Sequence, residues 1–141
     1  MAGMADSTAR LRDLLDPQTA ASVAEVGAFW RAQATERGGW PVDCFRALTR
    51  WLVQAGEPLL AYDVSTEGLQ HLAKRTGTRS DPALRRLQAH ALARTGARWR
   101  ANALLAALRD EGCGDEETLG LLASTFKDRA LLQACPDLLF D

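Results

Sequence analysis

Apolar positions along the chain recur at the spacing of amphipathic helices. In residues 42–55 the apolar side chains fall on one helical face, which carries Cys44, Ala47, Leu48, Trp51 and Leu52. No run of β-branched residues alternates with polar ones, and Ala, Leu, Arg and Glu dominate the sequence. The pattern predicts an all-α fold.

Turn and capping signals divide the chain into helices. Asp16-Pro17 and Asp81-Pro82 each place an N-cap acceptor before a proline at the first helical position. Gly56 and Gly96 are typical of helix ends, and Gly114-Asp115 of a helix start. The short loops near 37–39 and 76–78 favour antiparallel neighbours. The predicted helices are 17–36, 42–55, 58–74, 82–95, 98–111 and 115–130, with a short piece after Pro136.

Two of these helix pairs repeat. Residues 42–74 and 82–111 superimpose at an offset of 40, which aligns Gly56 with Gly96 and Ala61 with Ala101. A tight turn needs glycine because its backbone takes positive φ, and the alanine lets the second helix approach the first. We call the leading helix of each hairpin its first helix and the other its second helix. A further first helix begins near residue 115, at an offset of 34 from the one at 82–95. It places Leu119, Leu122, Ala123 and Phe126 at the positions that a tetratricopeptide helix uses for its apolar residues.

Stacking these hairpins side by side predicts a short right-handed superhelix with one concave surface. The alternative is an irregular helical bundle in which the similar turns are coincidental. The expected organisation is a single helical domain over 1–141. Residues 1–40 are expected to form an N-terminal capping helix region, 41–130 the tetratricopeptide-like repeats and 131–141 a C-terminal tail.

Residues 56–130 contain, in order, the segments GEPLLAYDV, EGLQHL, LRRLQAHALARTGA, RANALLAAL and DEETLGLLASTFKD. These segments resemble the tetratricopeptide-like domain in the regulatory region of apoptosis signal-regulating MAP kinase kinase kinases and in many bacterial multidomain signalling proteins. The resemblance implies a non-catalytic scaffold that holds protein partners or neighbouring domains, in signalling or bacterial defence. The family usually continues into further helical repeats, whereas this sequence continues as LLQACPDLLFD, typical of a single-domain relative or a fragment of a longer protein.

The composition argues against a disulfide-rich, metal-binding, membrane-spanning or secreted protein. The chain has 141 residues and only three cysteines, at wide spacings, so neither a disulfide framework nor a metal site is expected. No apolar run is long enough for a membrane span, and residues 1–17 lack the apolar core of a secretory signal. We therefore expect a cytoplasmic protein without a cofactor and without a membrane partner.

Catalytic motifs are absent from the sequence. His71 and His90 lie on different predicted helices and have no metal-ligand spacing. Cys44 could pair with a histidine as a nucleophile, but its position on an apolar helix face favours a core role. The sequence therefore predicts that the protein is not an enzyme.

Charge is distributed unevenly although the net charge is −1. Residues 74–109 carry nine basic side chains against one acid, and residues 110–141 carry eight acids against two bases. The basic segment favours, as an alternative function, a nucleic-acid or nucleotide binding module. Apart from Trp99, no aromatic residue interleaves with its bases, which argues against nucleic acid. These charges could also do no more than solvate helix surfaces.

Basic side chains form two ladders on the predicted first helices. Each ladder consists of three residues at successive i, i+4 positions on one edge of a helix. The first ladder, on helix 42–55, is Arg46, Arg50 and Gln54, and the second, on helix 82–95, is Arg86, His90 and Arg94. The equivalent positions on helix 115–130 are Gly120, Ser124 and Asp128. Because first helices line the concave surface, the ladders predict a groove for an acidic protein segment, a terminal carboxylate or a nucleotide. The acidic segment could be the tail of a neighbouring copy bearing Asp115, Glu116 and Glu117, which would make the protein a homo-oligomer. Alternatively, the arginines bridge to carboxylates of adjacent helices, such as Asp43 and Glu117.

Trp99 is a second candidate interface residue. It is flanked by Arg98 and Arg100 directly after the turn at Gly96, and interfaces favour tryptophan and arginine together. Between these two interpretations the sequence favours a core position for Trp99, with the exposed interface residue as the alternative.

Overall fold

The described part of the chain is helical throughout. A computed structural model describes residues 2–77 and 81–134, with side chains for 5–77 and 81–127. Within these ranges no strand occurs, and the predicted all-α fold is confirmed. The predicted piece after Pro136 lies outside the described residues. The α-helices are α1 (Ala2–Leu15), α2 (Val23–Ala32), α3 (Val42–Gln54), α4 (Pro58–Thr76), α5 (Pro82–Thr95), α6 (Arg98–Asp110) and α7 (Glu116–Ala134).

The helices from α3 onward form stacked hairpins. Helix α4 packs against α3 and α5, and α6 packs against α5 and α7. The first helices also contact one another directly, α3 with α5 and α5 with α7. The first helices therefore form one layer and the second helices another, as the tetratricopeptide-like repeat predicts.

The repeated turns have the predicted geometry. Gly56 and Gly96 take φ of 81° and 97°, which side chains other than glycine's rarely adopt. In both turns the residue after the glycine donates its backbone N–H across the helix end, from Glu57 to Leu52 at 2.9 Å and from Ala97 to Leu92 at 3.1 Å. The alanines at the two helix crossings, 61 and 101, are completely buried.

The N-terminal region differs from the prediction of one helix over 17–36. Residues Pro17–Thr19 and Glu36–Gly39 form short 3-10 helices on either side of α2. The helix is interrupted because Ala20 takes a φ of 50° and Ser22 begins a new helix by accepting a hydrogen bond from the backbone N–H of Glu25. Helix α1, which the sequence pattern did not predict, packs against α3.

A buried polar chain anchors α1. The Ser7 hydroxyl donates a hydrogen bond to the Gln33 side-chain oxygen at 2.6 Å and accepts one from the Trp40 indole at 2.9 Å. Trp40 is completely buried and lies near Trp30 and Phe45, with ring centroids 6.0 Å and 5.5 Å away. The same apolar core extends through α3, α4 and α5, so the N-terminal helices are joined to the repeats by a common core.

Candidate groove on the first helices

Two adjoining cavities lie along the layer of first helices. The first has a volume of about 310 Å³ and is lined by Arg50, Arg86, Leu87, His90, Glu117, Gly120 and Leu121. The second has a volume of about 370 Å³ and is lined by His90, Ala93, Arg94, Arg98, Leu105, Leu121, Ser124 and Thr125. Since His90 and Leu121 line both, we treat the two cavities as one feature, the α5–α7 groove.

The groove collects most of the residues of the predicted ladders. Arg50, Arg86, His90, Arg94 and Ser124 all line it. The i, i+4 spacing on α5 and the repeat offsets are therefore sufficient to place these positions together.

Two residues of the ladders do not line the groove. Gln54 is exposed at the end of α3. The Arg46 guanidinium pairs with Asp81, which caps α5, and with Asp43 at 2.6 Å. These contacts raise the pKa of Arg46, chiefly through the hydrogen bond to Asp81. For Arg46 the structure therefore shows the alternative, a bridge between neighbouring helices.

Arg86 is also held within the chain. Its guanidinium lies 2.8 Å from Asp115 and 2.8 Å from Glu117, and only 13% of the side chain is exposed. The expectation of a solvent-accessible Arg86 is not met, because α7 begins with carboxylates directly opposite it. The same pairs occupy two of the acids that were expected to reach a neighbouring copy.

Arg50 and Arg94 differ from these paired arginines. Both side chains are exposed at the groove, and neither forms an ion pair with a described residue. Arginine presents parallel donors that match a carboxylate or phosphate group. These two guanidinium groups can therefore donate hydrogen bonds to a carboxylate or phosphate group.

His90 lies between the two cavities and is half-buried. Its pKa is lowered from 6.5, first by burial and then by the positive charges of Arg94 and Arg86, although Glu117 opposes the shift. The imidazole is therefore neutral at pH 7 and can accept or donate one hydrogen bond without adding charge.

Six lining residues were not predicted as groove positions: Leu87, Ala93, Arg98, Leu105, Leu121 and Thr125. Arg98 belongs to a second helix, so the ladder on the first helices does not include it. Leu121 and Thr125 lie on α7, beside the predicted positions 120 and 124. The hydroxyl of Thr125 donates to the backbone carbonyl of Leu122 and accepts from Asn102. The α6–α7 contact could not be read from helical spacing alone.

Trp99 is 52% exposed at the start of α6, so the core position that the sequence favoured for it is wrong and the alternative, an exposed tryptophan, is what the structure shows. Its role at an interface stays a prediction. The exposed Leu59 occupies the equivalent position on α4, 40 residues earlier.

Cys44 is buried in the core, as predicted. Burial raises the pKa of its thiol, which disfavours the nucleophilic thiolate. In the described part of the chain no group of three or more His, Cys, Asp or Glu side chains could hold a metal ion. Nor is any helix there both long and apolar enough to cross a membrane.

Comparison with known proteins identifies the repeat family. The model of the family described as Tetratricopeptide Repeats-Sensor matches residues 61–138, more than half of the 141-residue chain. Neither curated proteins nor solved structures gave a match. Domains of the tetratricopeptide type generally mediate protein interactions and are typically non-catalytic. On the extent of this match and its agreement with the stacked hairpins, the chain belongs to the Tetratricopeptide Repeats-Sensor family.

Proposed function

We propose that the protein is a non-catalytic interaction module that holds an acidic segment of a partner protein or neighbouring domain in the α5–α7 groove. The exposed guanidinium groups of Arg50 and Arg94, which form no ion pair with a described residue, carry this proposal. The setting that we propose is cytoplasmic signalling or bacterial defence, which rests on the resemblance to regulatory regions of kinases that act on MAP kinase kinases.

The groove combines charge with apolar surface. Leu87, Leu105 and Leu121 contribute apolar lining between the polar residues. An acidic peptide with interspersed apolar side chains would place carboxylates on Arg50 and Arg94 and apolar groups on these leucines. Charge complementarity of this kind steers association and orients the partner, while apolar contacts add affinity.

The paired arginines have a separate role in this proposal. Arg46 and Arg86 connect neighbouring first helices through Asp81 and through Asp115 and Glu117. Their bridges would keep α3, α5 and α7 at a fixed spacing, so that the groove is preformed when the partner arrives.

In the same proposal residues 1–40 cap the first hairpin, 41–130 form the repeat stack and 131–141 are a tail.

The test is binding of a fluorescent peptide rich in Asp, Glu and Leu, followed by fluorescence anisotropy. The variant Arg50→Glu/Arg94→Glu should lower affinity at least tenfold without changing helicity or melting temperature. The matched control is Arg12→Glu/Arg31→Glu, which makes the same charge change at two exposed arginines outside the groove. The control should bind like the unmodified protein.

Equal losses in the two variants would show non-specific charge attraction and overturn the proposed groove. If neither variant loses affinity, the binding surface lies elsewhere and Trp99 becomes the next site to test. Reversal of Arg86 is unsuitable for this test, because it would break the pairs with Asp115 and Glu117 and destabilise the α5–α7 contact.

A further inference from the structure

Two carboxylates hold Arg86, and they differ in what else they contact. One oxygen of Asp115 accepts a hydrogen bond from the backbone N–H of Thr118 at 2.8 Å and so caps α7, while the other oxygen accepts one from Arg86 at 2.8 Å. Glu117 instead lines the first cavity of the α5–α7 groove together with Arg86. Asp115 is therefore part of the start of α7, whereas the Glu117 side chain belongs to the groove.

Solvent exposure distinguishes the two members of the Arg86–Glu117 pair. The Arg86 side chain is 13% exposed and the Glu117 side chain 74% exposed, although the guanidinium and carboxylate groups lie 2.8 Å apart. A carboxylate that is this exposed gains little from an ion pair, because water solvates it almost as well. A guanidinium group that is largely removed from water needs a counter-charge. Arg86 therefore depends on the pair much more than Glu117 does.

From this asymmetry we infer that Glu117 is a displaceable internal ligand of the groove, which occupies the Arg86 guanidinium until a carboxylate of the partner replaces it. The inference rests on the proposed function, because the partner is the same acidic segment. It adds the Arg86 guanidinium to the two that carry the proposed function. The Nη1 atom of Arg86 stays hydrogen-bonded to Asp115, and the Nη2 atom passes from Glu117 to the partner.

The exchange conserves the charge around Arg86. The guanidinium faces two carboxylates while Glu117 is in place, and it faces two again once the partner has replaced Glu117. Arg86 is therefore never left without a counter-charge. Glu117 needs only to rotate its side chain towards water, because the Asp115 cap holds the start of α7 in place. The contact is autoinhibitory, since the partner must compete with a carboxylate that is tethered next to the guanidinium.

The affinity of a Glu117→Gln variant tests the inference. The probe is the fluorescent peptide rich in Asp, Glu and Leu, and fluorescence anisotropy measures its binding at about 0.15 M salt. Removal of the internal carboxylate should raise affinity about fivefold, which corresponds to the largest contribution usual for an exposed ion pair. The matched control is Glu116→Gln, which removes the same charge from the preceding exposed position of α7, outside the groove lining. The control should change affinity by less than about twofold, because salt screens exposed charges.

A second variant, Glu117→Asp, separates displacement from a general change of charge. Aspartate keeps the negative charge but is one methylene shorter, so its carboxylate reaches the Arg86 guanidinium less well. Displacement predicts that Glu117→Asp also raises affinity, by less than Glu117→Gln does. A general charge effect predicts no change for Glu117→Asp. Circular dichroism of all the variants, with melting, checks that α7 stays folded, and a purely structural role for Glu117 would lower the melting temperature without raising affinity.

The outcomes distinguish this inference from the proposed function. Equal gains for Glu117→Gln and Glu116→Gln, or unchanged or lower affinity for Glu117→Gln, would overturn the inference. The proposed function would still hold in that case if Arg50→Glu/Arg94→Glu loses binding. Binding by Glu117→Gln but not by the unmodified chain would support the inference in its strongest form. A peptide that binds to none of these proteins would overturn both.

Discussion

Gly68 lies where α4 packs tightly against Phe45 of α3 and Leu84 of α5. A Cβ atom added at this position would lie 2.7 Å from the ring of Phe45 and 3.0 Å from Leu84. These distances are shorter than van der Waals contact, and Phe45 and Leu84 are completely buried, so the ring has no open space to enter. The glycine therefore determines how closely α4 packs against these two helices.

We expect Gly68→Ala to lower the free energy of unfolding by about 1–3 kcal/mol, the range for overpacking a core. The control is Gly120→Ala, also within a helix, where an added Cβ meets no atom within 4 Å. That change should raise stability by about 1 kcal/mol because alanine favours helix. Urea unfolding measures both changes, and a stabilised Gly68→Ala variant would contradict the close approach.

His90 should make stability depend on pH. Because its pKa is lowered in the folded protein, mainly by burial, the unfolded chain takes up a proton first as the pH falls below 6.5. The free energy of unfolding should therefore be unaffected by His90 above that pH and should decrease as the pH falls towards the folded pKa.

The variant His90→Gln should lose less stability than the unmodified protein between about pH 7.5 and about pH 5.5. Urea unfolding at the two pH values measures this difference, and an NMR titration of the imidazole should have its midpoint below 6.5. A midpoint above that value would mean that Glu117 outweighs burial and the two arginines.

At the scale of elements, α1 depends on a polar contact. The Ser7 hydroxyl is the acceptor for the buried Trp40 indole N–H. Ser7→Ala should lower the free energy of unfolding by about 2–3 kcal/mol, the upper part of the range for unsatisfied buried groups, because the indole loses its acceptor and the Gln33 oxygen its donor. The control Ser22→Ala removes an exposed helix cap and should cost about 1 kcal/mol. Equal losses would show that the Ser7 contact is no more than a surface interaction.

This contact also explains why α1 was not predicted. Its hydrogen-bond partners, Gln33 and Trp40, are distant in sequence, so no local pattern reports them. The start of α2 was readable, since Ser22 and Glu25 form an S-x-x-E capping box. By contrast, the hairpins from α3 onward were predictable because the glycine at each turn and the alanine at each crossing repeat at one offset.

The groove was predictable in position and only partly in chemistry. Helical spacing placed Arg50 and Arg94 at its edge. The same spacing could not decide that Arg86 would be neutralised, because that depends on how closely the start of α7 approaches α5. Asp81 was predicted as a helix cap. Its ion pair with Arg46 was not predicted, because the two residues are 35 positions apart in the sequence.

At the scale of the whole molecule, part of the basic segment is neutralised by part of the acidic one. Residues 74–109 are strongly basic and 110–141 strongly acidic, and among the described residues two arginines of the first segment pair with three carboxylates of the second. Arg85 pairs with Glu111 at 2.7 Å, and Arg86 with Asp115 and Glu117. The hydrogen bond from Arg85 lowers the pKa of Glu111, so this carboxylate stays charged at neutral pH.

Internal neutralisation leads to a prediction about nucleic acid. Phosphate binding is driven by basic side chains that release counterions, and each arginine held by a carboxylate contributes less to it. We expect generic oligonucleotides to bind only at low salt and without saturation at about 0.15 M salt. The variant Glu111→Gln/Glu117→Gln should bind more tightly at low salt, because it removes two carboxylates that now hold Arg85 and Arg86. Fluorescence anisotropy across a salt series measures both proteins. Saturable, sub-micromolar binding by the unmodified chain at about 0.15 M salt would show instead that the basic segment acts on phosphates despite its internal pairs.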